Sequence, residues 1–289
     1  MVFQIERCVK VQMKGKLLAA TMMVSIAGSA GAGERTLTIA SEGGLPPWNT
    51  LTSTGELTGF EIDLGHELCR RMRYDCQFVA HEWESMIPAL RQGKYDAIMA
   101  GMVITEERLK SIAFAGPYAF GPSQLATMLG NDVVELSADT PERIDLAVET
   151  PMATRVLERL SQMLRGKRIG VQAATVQAAF VERFFPGATV HLYNTLQNAG
   201  LDLLASRVDA VFLDRGGLED LLRNGQDRVV PFGPSFVRGP LGRGVAIGLR
   251  QEDTALKQAF DRAIAEAAAD GTVRTLSMRH FGYDVTVEP

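Results

Sequence analysis

One unit occurs twice in this chain, and it constrains the fold more than any other feature. Residues 87–101 (IPALRQGKYDAIMAG) and 200–213 (GLDLLASRVDAVFL) each run from a helical pattern through a basic residue into Asp-Ala and then an apolar strand. A short apolar run after a helix reads as a buried strand of an α/β sheet. Comparable elements surround each copy. Before and within the first lie a strand at 36–41, a helix at 59–72 with Phe60, Leu64, Leu68 and Met72 on one stripe, and a strand at 76–80. Around the second lie a strand at 167–172, a helix at 175–184 and a strand at 188–193. Two such sets imply two similar α/β lobes rather than one large sheet. The strand at 244–249 and the Ala-rich helix at 254–270 have no counterpart and are expected to return to the first lobe. The chain would then cross between lobes twice, forming a hinge beside a cleft. The expected limits are 33–120 and 233–289 for the first lobe and 121–232 for the second. Ligands of open α/β sheets bind outside the carboxyl ends of strands. That rule places 100–108 and Asp214 on facing rims.

Residues 1–32 differ from the rest. Arg7, Lys10, Lys14 and Lys16 precede the apolar run 17–27 and the small-residue segment 28–32, the pattern of a secretory signal peptide. The run is shorter than the ~20 residues a membrane span needs; a membrane anchor is the alternative. Cleavage is expected after Ala32, and Met13 could serve as the start. Removing 1–32 takes away four basic residues and one acidic one, which leaves 26 against 33 and a net charge of −7. The full chain, with 30 basic and 34 acidic residues, already lacks the basic surplus of a nucleic-acid binder. Cys8 leaves with the signal, and the pair that remains, Cys69 and Cys76, reads as a disulfide in an exported protein. No spacing of His and Cys suggests a metal site, and no cofactor is implied.

The segment Gly59-Phe60-Glu61-Ile62-Asp63-Leu64, with Leu68-Cys69 at its end, resembles the signature helix of family 3 solute-binding proteins of bacterial ABC importers. The resemblance extends from Leu37 to Tyr283 and includes Tyr95-Asp96-Ala97-Ile98, 104–108 (ITEER), 166–171 (GKRIGV) and Asp270-Gly271-Thr272. Cys69 and Cys76 match the disulfide of the lysine/arginine/ornithine- and histidine-binding branch. Residues 40–44, Pro47-Trp48-Asn49 and the connection near 130–165 look most like the octopine- and nopaline-binding group. The resemblance implies the two-lobed type II periplasmic-binding-protein fold, a periplasmic location, a monomer, and an inner-membrane ABC permease as partner.

It also implies roles for particular residues. Arg108 matches the family residue that grips an α-carboxylate, for which a planar guanidinium is well shaped; read without the resemblance, it is a surface Arg at a helix start. Asp214 matches the residue that holds the α-ammonium, and is otherwise a helix N-cap. Glu42 falls where the family reads the far end of the side chain, so a cationic amino acid or arginine-derived opine is implied; otherwise it is a solvated loop acid. Trp48 and Trp83 match aromatic positions flanking an elongated ligand, or else are core residues. At Ala100, Gly101, Met102 and Val103 the branch usually carries serines, so backbone N–H groups remain to assist the carboxylate. In the second lobe Thr175 keeps one hydroxyl at a helix start, while Val176 lacks another.

The function implied is ligand capture by hinge closure, without covalent chemistry. The rival is an enzyme on the same scaffold, a cyclohexadienyl-dehydratase-like protein, which would need an acid poised to protonate a leaving group. His66, His81, His191 and His280 match no cleft position, and the Arg108–Asp214 pair favours zwitterion binding.

Overall fold

The computed structural model describes residues 35–133, 141–225 and 227–286. The expected signal segment 1–32, with Cys8, lies outside the described residues. In chain order the first lobe supplies β1 (Arg35–Ser41), β2 (Gly44–Leu45), β3 (Asn49–Leu51), β4 (Leu57–Thr58) and α1 (Phe60–Met72). It continues with β5 (Tyr74–Ala80), α2 (Met86–Arg91), β6 (Ala97–Ile98), α3 (Glu106–Leu109) and β7 (Ala113–Ala119). The second lobe follows, with β8 (Ser123–Met128), β9 (Arg143–Asp145), α4 (Pro151–Met163), β10 (Arg168–Gln172) and α5 (Val176–Phe184). Then come β11 (Thr189–Tyr193), α6 (Leu196–Leu204), β12 (Ala210–Asp214), α7 (Arg215–Asn224) and β13 (Val229–Val237). The chain ends as β14 (Val245–Leu249), α8 (Thr254–Ala269) and α9 (Thr272–Phe281).

Two sheets organise these elements. The first has the order β5-β1-β6-β14-β7, the second β11-β10-β12-β8-β13-β9, and β2-β3-β4 form a small third sheet. The repeated units place β6 and β12 beside the parallel strands β1 and β10 respectively. In each large sheet an antiparallel strand then joins on: β14 beside β6, and β8 beside β12. The result is the two-lobed type II fold, with strand β14 returned to the first sheet.

The second crossing lies further along than expected. Strand β13 stays in the second sheet to its end, where Phe236 pairs with Ser123 and Val237 with Asp145. The return therefore runs through 238–244 instead of beginning at 233. Pro231, Gly233 and Pro234 interrupt the residue pattern of β13, which conceals the strand from a reading of alternation.

Each lobe has its own core. The α1 stripe Phe60, Leu64 and Leu68 is fully buried against Ile39, Ile247 and Phe260. Burial of each such side chain contributes about 1.5–3 kcal/mol. In the second lobe Phe180, Phe212 and Phe236 pack together, with Phe180 and Phe212 stacked at 5.0 Å. A disulfide joins Cys69 at the end of α1 to Cys76 in β5. Entry into α1 needs a glycine: Gly59 has φ 123, and a Cβ there would lie 2.6 Å from the Trp48 carbonyl oxygen. That close approach fixes the Pro47–Asn49 loop over the helix start.

Candidate binding cleft

The facing edges of the lobes enclose a cavity lined by Glu42, Trp48, Trp83, Ala100, Gly101, Val103, Arg108, Thr175, Val176 and Asp214, among others. The sequence expectation named these ten and Met102. Met102 is instead 1% exposed in the first lobe's core, with its sulfur against Gly248. Its neighbours Gly101 and Val103 line the cleft, while the Met102 side chain joins the core cluster of Met86, Leu90 and Ile112.

Arg108 is positioned by its own turn. Thr105 caps α3, its hydroxyl accepting from the Arg108 N–H at 3.2 Å. The guanidinium donates to the Val103 carbonyl at 2.9 Å and, across the cleft, to the Ala174 carbonyl at 3.2 Å. It lies 5.1 Å from the Trp83 ring centre. Loss of water in the cleft pushes it down to about 10, because no carboxylate pairs with it among the described residues.

Asp214 is both an N-cap and a cleft acid. One carboxylate oxygen accepts from the Gly216 N–H that opens α7 and from the Trp48 indole N–H, each at 2.9 Å. Burial raises its pKa. Trp48 is 2% exposed, with its ring against the edges of Phe60 and Phe281. Its contribution to the cleft is therefore an N–H aimed at Asp214, and not a flat wall for a ligand stem. Trp83 is half-buried with the Arg108 guanidinium over its ring, and its own N–H donates to the Ala174 carbonyl at 3.3 Å.

Glu42 follows β1 and accepts from the Gln172 amide of the second lobe at 2.5 Å. Desolvation outweighs that hydrogen bond and raises the carboxyl to about 7. Nearby, Glu61 is wholly buried beneath the site; it accepts from Asn49 at 2.6 Å, from the Gly101 N–H at 2.7 Å and from the Tyr118 hydroxyl. Burial raises its pKa as well. The Gly101 N–H is thus engaged and does not point at a ligand. Thr175 is likewise occupied: its hydroxyl donates to the Gln172 carbonyl at 2.7 Å and accepts from the Ala178 N–H at the start of α5.

Other groups complete the wall without having been anticipated. Gln172 ends strand β10, where the carboxyl-end rule could have found it. Ser123 opens β8 beside Asp214 and accepts from Gln177 at 3.0 Å, so a hydroxyl reaches the cavity from the crossing strand. Its antiparallel placement has no signature in spacing. Arg238 and Arg243 come from the second crossing, which the sequence boundary had misplaced. Among the described residues no group of three His, Cys, Asp or Glu side chains could hold a metal ion.

Among the described residues, the Trp48–Asp214, Trp83–Ala174, Arg108–Ala174 and Gln172–Glu42 hydrogen bonds join the lobes directly, and the cleft between them carries a cation at Arg108 and acids at Glu42 and Asp214. That arrangement is suited to a ligand with both charges. Comparisons with known proteins agree. An octopine-binding periplasmic protein of Rhizobium meliloti is 34% identical over 95% of this chain and 99% of its own length. An L-arginine-binding protein of Pseudomonas aeruginosa is 31% identical, covering 88% and 91%. A periplasmic His/Glu/Gln/Arg/opine family-binding protein from Silicibacter pomeroyi, solved with lysine, superposes with a TM-score of 0.70 at 31% identity over 87% and 99%. An ancestral arginine-binding protein bound to arginine gives 0.71 at 26% identity over 86% and 98%. These relatives are named for what they bind, and this chain too is a binding protein and not an enzyme on the same scaffold. The model of the bacterial extracellular solute-binding proteins, family 3, matches residues 37–283, and with the fold and the charged cleft in view the chain belongs to that family.

Proposed function

We propose that the protein captures a cationic amino acid or an arginine-derived opine in the periplasm and delivers it to an inner-membrane ABC permease. The observation that carries this reading is the set of charges left without opposite partners in one cleft: Arg108 and Glu42 from the first lobe, Asp214 from the second. A buried charge is costly unless paired, so a ligand that supplies the missing carboxylate and cations gains what the protein lacks. Arg108 takes the α-carboxylate, Asp214 the α-ammonium, and Glu42 the distal guanidinium or ammonium. Trp83 covers the apolar stem, and Ala100, Gly101, Val103, Thr175 and Val176 shape the walls. Closure is a population shift, driven by contacts that the ligand makes to both lobes at once.

The names of the relatives support the location, and a cleaved signal at 1–32 would supply the export route. The protein acts as a monomer and engages no nucleic acid. Calorimetry of the mature protein against arginine, lysine, histidine, octopine and nopaline tests the ligand class. At least one should bind at one site per monomer; absence of heat with all five would overturn the reading.

A further inference from the structure

We infer that Glu61 is a specificity-determining residue: its carboxylate, one layer behind the cleft wall, selects the cationic end of the ligand by charge without touching it. The inference rests on the binding function proposed above and adds a residue that the proposed contacts leave out.

Glu61 is wholly buried in the first turn of α1. Its hydrogen-bond partners are neutral. The Gly101 N–H donates to one carboxylate oxygen at 2.7 Å, with the Tyr118 hydroxyl beside it, and the Asn49 amide donates to the other at 2.6 Å. That amide cannot turn round, because its own oxygen accepts from the Gly43 N–H at 2.7 Å. Gly101 and Asn49 are thus fixed as donors, which is the environment of an ionised carboxylate. Among the described residues no cation pairs with it.

The wall between this charge and the cavity is a single residue. Gly101 lines the cavity and turns its N–H inward to Glu61. It has φ 63, and a Cβ there would lie 2.6 Å from Leu45 Cδ2, so no side chain thickens the wall at this point. On the other side Asn49 ties Glu61 to Gly43, the neighbour of Glu42. The field of Glu61 reaches both acids of the cleft. Burial leads in raising Glu42, and the charge of Glu61 adds to it. Burial leads in raising Glu61 too, and the charge of Asp214 adds to that. A charge that disfavours those carboxylates favours a cation set against them. At an effective dielectric of ~20, a unit charge ~12 Å away still changes affinity about tenfold. A neutral side chain of the same shape gains nothing from it.

Arginine and citrulline, in which a neutral ureido group replaces the guanidinium, share their backbone charges and serve as probes. Calorimetry at pH 8, above the value of about 7 at Glu42, would compare them on the mature protein, on Glu61→Gln and on Glu61→Asp. The ratio of the two affinities reads the charge, whereas a merely structural role would weaken both ligands alike. Wild type should prefer arginine, and Glu61→Gln should lower that preference about tenfold. Glu61→Asp keeps the charge and should hold the preference within about threefold of wild type. An unmoved ratio in Glu61→Gln, or an equal fall in Glu61→Asp, would overturn the role. So would a Glu61→Gln protein whose ligand-free melting curve shows no folded state, since the carboxylate would then be structural. A wild-type protein that binds arginine no better than citrulline, or binds other members of the panel but neither of these, overturns this inference and leaves the proposed function standing. Binding of no ligand in the panel overturns both.

Discussion

Glu42 offers a test in which stability and binding must respond to pH with opposite signs. Its carboxyl rises from the ordinary 4.5 to about 7, chiefly because the closed cleft strips it of water. An acid with a raised folded value favours its protonated form in the folded protein. Its penalty to stability is therefore fully present above about pH 7 and fades as the pH falls towards 4.5. The difference between those two values has a ceiling of ~3.4 kcal/mol at ~1.36 kcal/mol per tenfold. Glu42 keeps some contact with water, so ~2 kcal/mol is the better expectation. Glu42→Gln removes the charge and keeps an oxygen for the Gln172 amide. The ligand-free variant should exceed wild type at pH 8, with Tm higher by roughly 4–8 °C, and match it near pH 5. Affinity for arginine should go the other way. A cationic group needs the ionised carboxylate, so wild-type affinity should rise with pH up to about 7 and then level off. The variant should bind weakly and lose that slope. Paired calorimetry and thermal melts at four or more pH values would read both. A variant less stable at pH 8, or an equal pH slope of affinity in both proteins, would refute the argument from desolvation.

Three further substitutions probe the frame around the site. Arg108→Ala should weaken arginine by about 100-fold or more, since it leaves the ligand carboxylate buried without a partner. The ligand-free Tm should hold or rise slightly, because the guanidinium gains no protein carboxylate in the cleft. Replacing Cys69 and Cys76 by serine opens a loop of sequence separation 7 and should cost about 2–3 kcal/mol in urea unfolding, with ligand affinity little changed. Gly242→Ala places a Cβ 2.2 Å from Val103 Cγ1 and at φ 87. It should lower stability by roughly 2–3 kcal/mol and weaken binding. An unchanged urea midpoint would show that the crossing yields easily.

The parts legible in the sequence are those built from periodic or repeated local pattern. The stripe Phe60, Leu64, Leu68 marks α1, and the repeated Asp-Ala units mark β6 and β12 with their preceding helices. The Thr105 cap and Arg108 follow from one short motif. Antiparallel additions were harder to see. Strand β13 carries two prolines and a glycine, and β8 lies between a Gly-Pro and a connection. Helix α4 carries a start signal, Thr150 as cap with Pro151 in the first turn, within a stretch read as connection. Strands β8 and β13 lead to Ser123, Arg238 and Arg243 in the cleft wall, so these three escaped notice with their strands, whereas Gln172 ends the legible strand β10. Trp48 is a different case. Its position was legible, but which part of it meets the cleft depends on Phe60 and Phe281, the latter more than 200 residues away.

The contacts that close the lobes use the same groups that await a ligand. Asp214 receives Trp48 across the cleft, Glu42 receives Gln172, and Arg108 reaches the Ala174 carbonyl. Each group retains capacity: a carboxylate offers about four acceptor positions, and a guanidinium five N–H donors. The cross-lobe bonds therefore hold each charge in place without satisfying it. Orienting the charges before the ligand arrives removes an ordering cost that the complex would otherwise bear. It also limits what a ligand can do for closure. Since the ligand stabilises the closed state only by its differential affinity for it, a molecule matching one lobe alone shifts nothing, however tightly it binds there. Selectivity then depends on filling the remaining positions on both lobes together. If, as proposed, Glu42 in the first lobe and Asp214 in the second each take one of the ligand's cations, a ligand lacking either cation forfeits closure as well as a contact.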